Sequence, residues 1–221
     1  MTHRERILAA FRFQPTDHLP CDLMEGVVWP ELIDYFRAAH SIESPDAILS
    51  FLDPDVRWTF MQYVNPSPTE APSDEPAPAP PPADHPTYSL RVAHGPLAEQ
   101  VALARAHGLL VLYPSFGAVR PVLGDLIDIG VNGMLVFQTT ATGMDLEAIA
   151  RDFGGRVLFY GGMDIQHLLS FGTVEDVVCE VDRNARAFED CGGYIVANSH
   201  HCVATIRGEL IEAMFIAAHK R

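Results

Sequence analysis

Two kinds of hydrophobic spacing alternate along the chain. Near the start, Ile7, Leu8 and Phe11 recur at helical intervals and predict a helix over Thr2 to Phe13. Thr2 and Glu5 stand at capping-box spacing, and Pro15 stops the run. His18 to Met24 predicts a short strand or extended lead-in. Trp29-Pro30 opens a second helix reaching about His40, with Leu32, Ile33 and Phe36 as its apolar stripe. Pro45 to Leu52 predicts a third, and the aromatic-rich segment Asp55 to Tyr63 predicts a strand.

From Pro96 the pattern becomes regular. Helices are predicted over Pro96–His107, Val119–Ile129 and Met144–Phe153, with a fourth capped by Thr173 and Asp176. Each precedes a short apolar run: Leu109–Leu112, Val131–Phe137, Val157–Tyr160 and Tyr194–Ala197. Each helix also runs out on glycine (Gly108, Gly130, Gly154-Gly155, Gly192-Gly193), which suits a left-handed C-terminal cap. A last helix spans about Arg207 to Ala218. Strands that are apolar throughout are covered on both faces. Units of this kind in series make a parallel sheet, so the fold class is α/β, either a TIM barrel or a doubly wound sheet.

Composition then divides the chain. Asn65 to Pro86 contains Pro66, Pro68, Pro72, Pro76, Pro78, Pro80-Pro81-Pro82 and Pro86, separated by small and acidic residues. Prolines lack N–H donors, and the tract has little apolar side chain to bury, so it reads as an extended polyproline-II linker. The expected organisation is therefore an N-terminal part over residues 1–64, a linker over 65–87 and the αβ repeats over 88–221. The net charge of −14 disfavours nucleic acid and anionic membrane surfaces as partners. Cys21, Cys179, Cys191 and Cys202 show no CxxC spacing and read as reduced thiols. No apolar run approaches the ~20 residues a membrane span needs, and a cytoplasmic location is expected.

Arg156 to Gln166 concentrates the candidate chemistry. A strand-like run, Val157 to Tyr160, is expected to break at Gly161-Gly162, with Asp164 and Gln166 following. Paired glycines permit a sharp turn or a close approach of backbone to ligand, and the C-terminal ends of parallel strands are where ligands bind. Asp164 and Gln166 are therefore pocket candidates, with Gln138 at the end of its own strand. Asp145 begins a helix, where a carboxylate favours the dipole and serves structure. Trp29 and Trp58 read as core aromatics before pocket lining.

These residues resemble the uroporphyrinogen decarboxylase family. The resemblance lies in MTHRERILAAF with the loop Gln14 to Pro20, in Phe116 to Pro121 with Asp125 to Val131, and in Gly143 to Leu146. It continues through Phe159 to Gln166, Phe171-Gly172-Thr173, and Gly192 to Val196 with Ser199-His200. It covers residues 1–64 and 96–219. It implies a uroporphyrinogen-decarboxylase-like TIM barrel, a small-molecule substrate, and a cofactor-free carboxy-lyase step in porphyrin biosynthesis. The family also includes zinc-dependent methyltransferases that take methyl groups from corrinoid proteins.

A full barrel takes ~250 residues, so the central strands of the family barrel have no counterpart and an incomplete barrel is expected. A strand edge is then left open for a homodimer to cover, or else the chain is a catalytically silent remnant or scaffold. The resemblance assigns His200 as the catalytic or substrate-holding imidazole; by their places near strand ends, Gly161, Gly162, Asp164, Gln166, Gln138 and Arg120 are the substrate-binding candidates. In the family an arginine-rich loop follows the first strand, whereas here Met24 to Trp29 carries Glu25 and no arginine. The zinc-binding His-x-Cys pair of the methyltransferases aligns with Pro114-Ser115-Phe116. His200, His201 and Cys202 are adjacent, so on an extended segment they face opposite ways. No metal and no cofactor are expected.

Overall fold

The computed structural model describes residues 1–56, 58, 96–202 and 204–221, leaving aside the Glu25 side chain. Its elements, in chain order, are α1 (His3–Phe11), β1 (Cys21–Asp22), a 3₁₀ turn (Met24–Gly26), α2 (Pro30–His40) and α3 (Pro45–Leu52). After these come α4 (Pro96–Ala106), β2 (Leu112–Pro114), α5 (Arg120–Ile129), β3 (Gly133–Phe137) and α6 (Leu146–Phe153). The chain closes with β4 (Leu158–Met163), α7 (Leu168–Phe171), α8 (Val174–Ala187), β5 (Tyr194–Asn198) and α9 (Gly208–His219). The 65–87 linker and most of the Asp55–Tyr63 strand lie outside the described residues.

Local chemistry accounts for most helix starts. Thr2 with Glu5, and Thr173 with Asp176, form complete capping boxes. Pro30 and Pro45 occupy the first helical positions of α2 and α3, where the missing N–H costs nothing. Asp145 caps α6 by accepting from the Ala148 N–H. Glycine stands left-handed after α4 (Gly108) and α5 (Gly130) and just past α6 (Gly155), as the spacing predicts for the repeats. Ser41 and Asp53 take that conformation after α2 and α3, and α8 ends at Ala187, well before Gly192.

The five strands among the described residues are all parallel, in the order β1-β5-β4-β3-β2. The first strand therefore pairs with the last, and the others follow in descending order without a reversal. A doubly wound sheet has a switch point where the order reverses; closure of first on last belongs to a barrel. The fold is an α/β arc of a barrel, incomplete because nothing among the described strands joins β1 to β2. Outward side chains (Cys21, Leu23, Phe159, Tyr194 and Val196) pack with the helices in the larger core. Inward ones (Met24, Leu135, Val136, Leu158, Tyr160, Ile195 and Ala197) form a smaller core, which α1 closes with Ala10, Ile7 and Phe11.

Two strand expectations need correction. The strand expected over Leu109–Leu112 begins only at Leu112, where pairing to Gly133 starts; Leu109 and Leu110 are 60% and 47% exposed. The break expected at Gly161-Gly162 is absent, because β4 runs through both glycines, pairing them with Val196 and Ala197. Beside them β3 carries a bulge. Leu135 pairs with Tyr160 and Phe137 with Gly161, leaving Val136 as an extra residue at φ 67°. A left-handed conformation at a β-branched residue is a genuine outlier. A Cβ on Gly161 (φ +133°) would stand 2.8 Å from the Phe137 nitrogen, so only glycine admits the bulge.

β1 is held by charge as well as by its ladder. Asp55 returns both backbone bonds of Cys21: its own N–H donates to the Cys21 carbonyl at 2.8 Å, and its Oδ2 accepts the Cys21 N–H at 3.0 Å. Arg6 of α1 pairs with Asp55 Oδ1 and, at 2.7 Å, with Asp17. Arg6 and Asp55 are both buried. Removing one partner of a buried pair strands the other charge, so Arg6→Met should lower the unfolding free energy by about 3–5 kcal/mol in urea titration. Asp17→Ala, at a half-exposed partner, should cost distinctly less.

Candidate functional site

At the C-terminal ends of the strands, three loops meet. After β2, Ser115 N–H donates to the Leu135 carbonyl at 3.2 Å, and Gly117 N–H donates to Oε1 of Gln138, just past β3, also at 3.2 Å. Phe116 between them reaches across the arc, its ring centroid 5.0 Å from that of His200 after β5. β5 is prolonged at this end: Ser199 N–H donates to the Met163 carbonyl at 2.8 Å, and Asn198 Nδ2 donates to the His200 carbonyl at 2.6 Å. The Nδ1 of His200 accepts the His201 N–H at 2.8 Å. The neutral ring therefore carries its proton on Nε2 and can donate a hydrogen bond. Gln138, Gly117, Phe116 and His200 thus form one mouth, of which Gln138 and His200 were expected.

The other expected residues are not gathered there. Asp164 is buried, and its carboxylate accepts from the N–H groups of Gln166 (3.1 Å), His167 (2.9 Å) and Leu168 (3.4 Å), capping the start of α7. His167 Nδ1 lies 3.1 Å from the same carboxylate. Gln166 is exposed. Asp164 and His167 line a separate cleft of about 700 Å³, together with Thr139, Cys179, Glu180 and Arg183. Arg120 pairs with Asp152 and lies over the Phe153 ring at 5.8 Å, so its charge is engaged at α6. Gly161 and Gly162 serve packing: the Tyr194 hydroxyl donates to the Gly161 carbonyl at 2.8 Å and would stand 2.6 Å from a Cβ on Gly162. The sequence reading missed His167, although an Asp followed three residues later by His before an apolar helix was available as a signal.

It also missed the buried acid of the inner face. Asp22, the last residue of β1, is fully buried. Its Oδ2 accepts from the Tyr160 hydroxyl and, at 2.7 Å, from Trp58 Nε1, while its Oδ1 is buried without a partner. Burial pushes its carboxyl up to about 7, against the opposing pull of the Tyr160 and Trp58 hydrogen bonds.

The positions where the family resemblance places zinc do not fit the ion. Pro114 and Phe116 have no donor atom, and burial pushes the Cys202 thiol up to about 12, away from the thiolate that zinc binds. No group of three or more metal-ligating side chains capable of holding a metal occurs among the described residues. Among them, too, no helix is long and apolar enough to cross a membrane.

Fold and site together define an α/β protein with a parallel barrel arc and a polar, aromatic-rimmed mouth. No protein-family model matches the chain, and no curated protein matches it. Solved structures do match. One is a methyltransferase from Methanosarcina mazei, 18% identical with a TM-score of 0.46, matched over 56% of this chain and 35% of that one. The chain thus spans about a third of that protein's length.

The glycine next to the β3 bulge gives a direct test of how the mouth is positioned. Gly161→Ala should cost about 2–4 kcal/mol in chemical denaturation, combining backbone strain with the clash on Phe137. Gly124 of α5 has open space where a Cβ would stand, so Gly124→Ala should stabilise by about 0.5–1 kcal/mol.

Proposed function

We propose that the chain binds a small carboxylated molecule at the mouth around His200, and that it is a uroporphyrinogen-decarboxylase-type barrel protein with carboxy-lyase chemistry as its reaction class. The observation that carries this reading is the meeting of three loops at the strand ends, with an imidazole N–H, an amide and an exposed aromatic ring on one rim. Phe116 is 61% exposed and offers an apolar face to a planar substrate. His200 Nε2–H would hold one carboxylate, and Gln138 would contribute its side-chain N–H₂, since its Oε1 is taken by Gly117.

The porphyrinogen itself is a poor candidate. A polycarboxylate needs several fixed cations, each charge-assisted partner being worth about 1.5–3 kcal/mol. The family's loop arginines have no counterpart in Met24 to Trp29, and Arg120 is neutralised by Asp152. The same observation favours a second reading, a catalytically silent remnant that keeps the fold and has lost the cations. The methyltransferase reading lacks its zinc donors at Pro114 and Phe116.

Two measurements test these readings. Under anaerobic reducing conditions, uroporphyrinogen should remain unchanged by chromatography. A pyrrole monocarboxylate should shift the ring resonances of His200 in the NMR spectrum of the wild-type protein, and its affinity should fall at least about fivefold in His200→Asn, the loss of about one hydrogen bond. No shift with the monocarboxylate would favour the silent remnant, and turnover of uroporphyrinogen that His200→Asn abolishes would restore the porphyrin substrate. Separately, elemental analysis of purified protein should show no stoichiometric zinc; about one zinc per chain, lost on substituting His200 or Cys202, would reinstate the metal reading.

A further inference from the structure

We propose that Asp22, Tyr160 and Trp58 form a proton-binding tie on the inner face of the sheet, in which Asp22 is a neutral acid with its proton on Oδ1 and loses that proton within the native fold. The argument starts from hydrogen-bond direction. An indole N–H can only donate, so Trp58 fixes Oδ2 of Asp22 as an acceptor, and the Tyr160 hydroxyl donates to the same oxygen. With both donors directed to Oδ2, a proton on Asp22 sits on Oδ1, the oxygen that is buried without a partner. An ionised Asp22 would bury a negative charge with only one of its two oxygens satisfied, a costly arrangement.

Among the described residues, no cation is placed to compensate that charge. From β4 the facing titratable group is Tyr160, whose own ionisation burial and Asp22 strongly oppose. Next along β1 is Cys21, whose buried thiol is likewise pushed up. Asp55 adds further negative charge, and the arginine near it, Arg6, is already shared between Asp55 and Asp17. β5 contributes Ala197, the ladder partner of Asp22, and the inner core around Tyr160 and Trp58 consists of Leu135, Val136, Leu158 and Ile195, none of them charged. The nearby Leu23 N–H eases ionisation, but it makes no hydrogen bond to Oδ1 and carries no net charge.

The consequence for stability follows from linkage. The native carboxyl is raised to about 7, against an unfolded value near 3.9. Protonated Asp22 therefore stabilises the fold fully below about pH 4, and this contribution is lost as the pH rises toward about 7. Other carboxylates act in the opposite sense, among them Asp17, which Arg6 and the N-terminal amine hold well below the ordinary range. The Asp22 contribution has to be isolated by comparison with an Asn variant.

The experiment follows the Trp58 indole N–H by NMR across about pH 5 to 9, with Trp29, the chain's other tryptophan, as internal reference. The Trp58 resonance should titrate with a midpoint near 7 in the wild type and stay flat in Asp22→Asn. The unfolding constant of wild type relative to Asp22→Asn should rise by about tenfold per pH unit between about pH 4 and 7. Should Asp22→Asn fail to fold, Tyr160→Phe decides: losing a donor that favours the anion should move the midpoint upward. A Trp58 resonance that is flat in the wild type, that titrates equally in Asp22→Asn, or whose midpoint Tyr160→Phe leaves in place overturns the proposal.

Discussion

Pairing of β1 with β5 joins residues from the two ends of the chain, and with two residues β1 cannot hold that place by its ladder alone. Asp55 lies on its other side and returns both backbone bonds of Cys21, doing with one side chain and one N–H what a neighbouring strand would do along its length. Arg6 then fixes that carboxylate from α1. A buried ion pair of this kind adds little net stability against an apolar replacement, because desolvation offsets the Coulomb gain. Its value is in register: with Asp55 pinned, Asp22 faces inward and Leu23 outward, and the Met24 N–H meets the Asn198 side chain at 2.8 Å. The position of β5, and so of His200, depends on this arrangement.

A second constraint acts on the opposite side of the mouth. The bulge at Val136 advances β3 by one residue relative to β4, and this offset is what delivers Gln138 toward Gly117. Bulges are rare between parallel strands and often re-aim a side chain beside a functional site. The strain at Val136 persists because Gly161 leaves its Cβ space to the Phe137 backbone. The glycine pair therefore shapes the mouth from beneath, without touching a ligand. Paired glycines suggest a sharp turn or close approach to a ligand, whereas the groups that approach these two are the protein's own β3 and the Tyr194 hydroxyl.

This explains which features could be read in advance. Capping boxes, prolines at helix starts and the αβ alternation depend on residues a few positions apart, and all are legible. The register of β2 is not, because Leu109 and Leu110 look like strand until pairing with Gly133 excludes them. Nor is the conformation of Gly161, which is decided by Phe137. Arg6 with Asp55 and Asp22 with Tyr160 join residues 49 and 138 positions apart, beyond any local pattern. A hint did exist for Asp22, since a carboxylate inside the apolar stretch Leu19 to Met24 is out of place on a covered strand. Asp164 and Arg120 misled in the reverse direction: each has the chemistry of a pocket residue, and each spends it on its own neighbours.

The incomplete barrel raises the question of its edges, since closure normally removes them. At β1 the edge is occupied by Asp55. At β2 a different means operates: the strand is three residues long and ends in Pro114, which has no N–H to offer. Shortness and proline are both devices that blunt a sheet edge. A second copy meeting β2 would therefore gain little from backbone pairing, and its contact would depend on the exposed side chains of Leu103, Leu109 and Leu110. A homodimer contact there would rest on hydrophobic side-chain burial and not on completing the barrel with a partner's strand. The arc can keep its mouth at the strand ends without closing the ring.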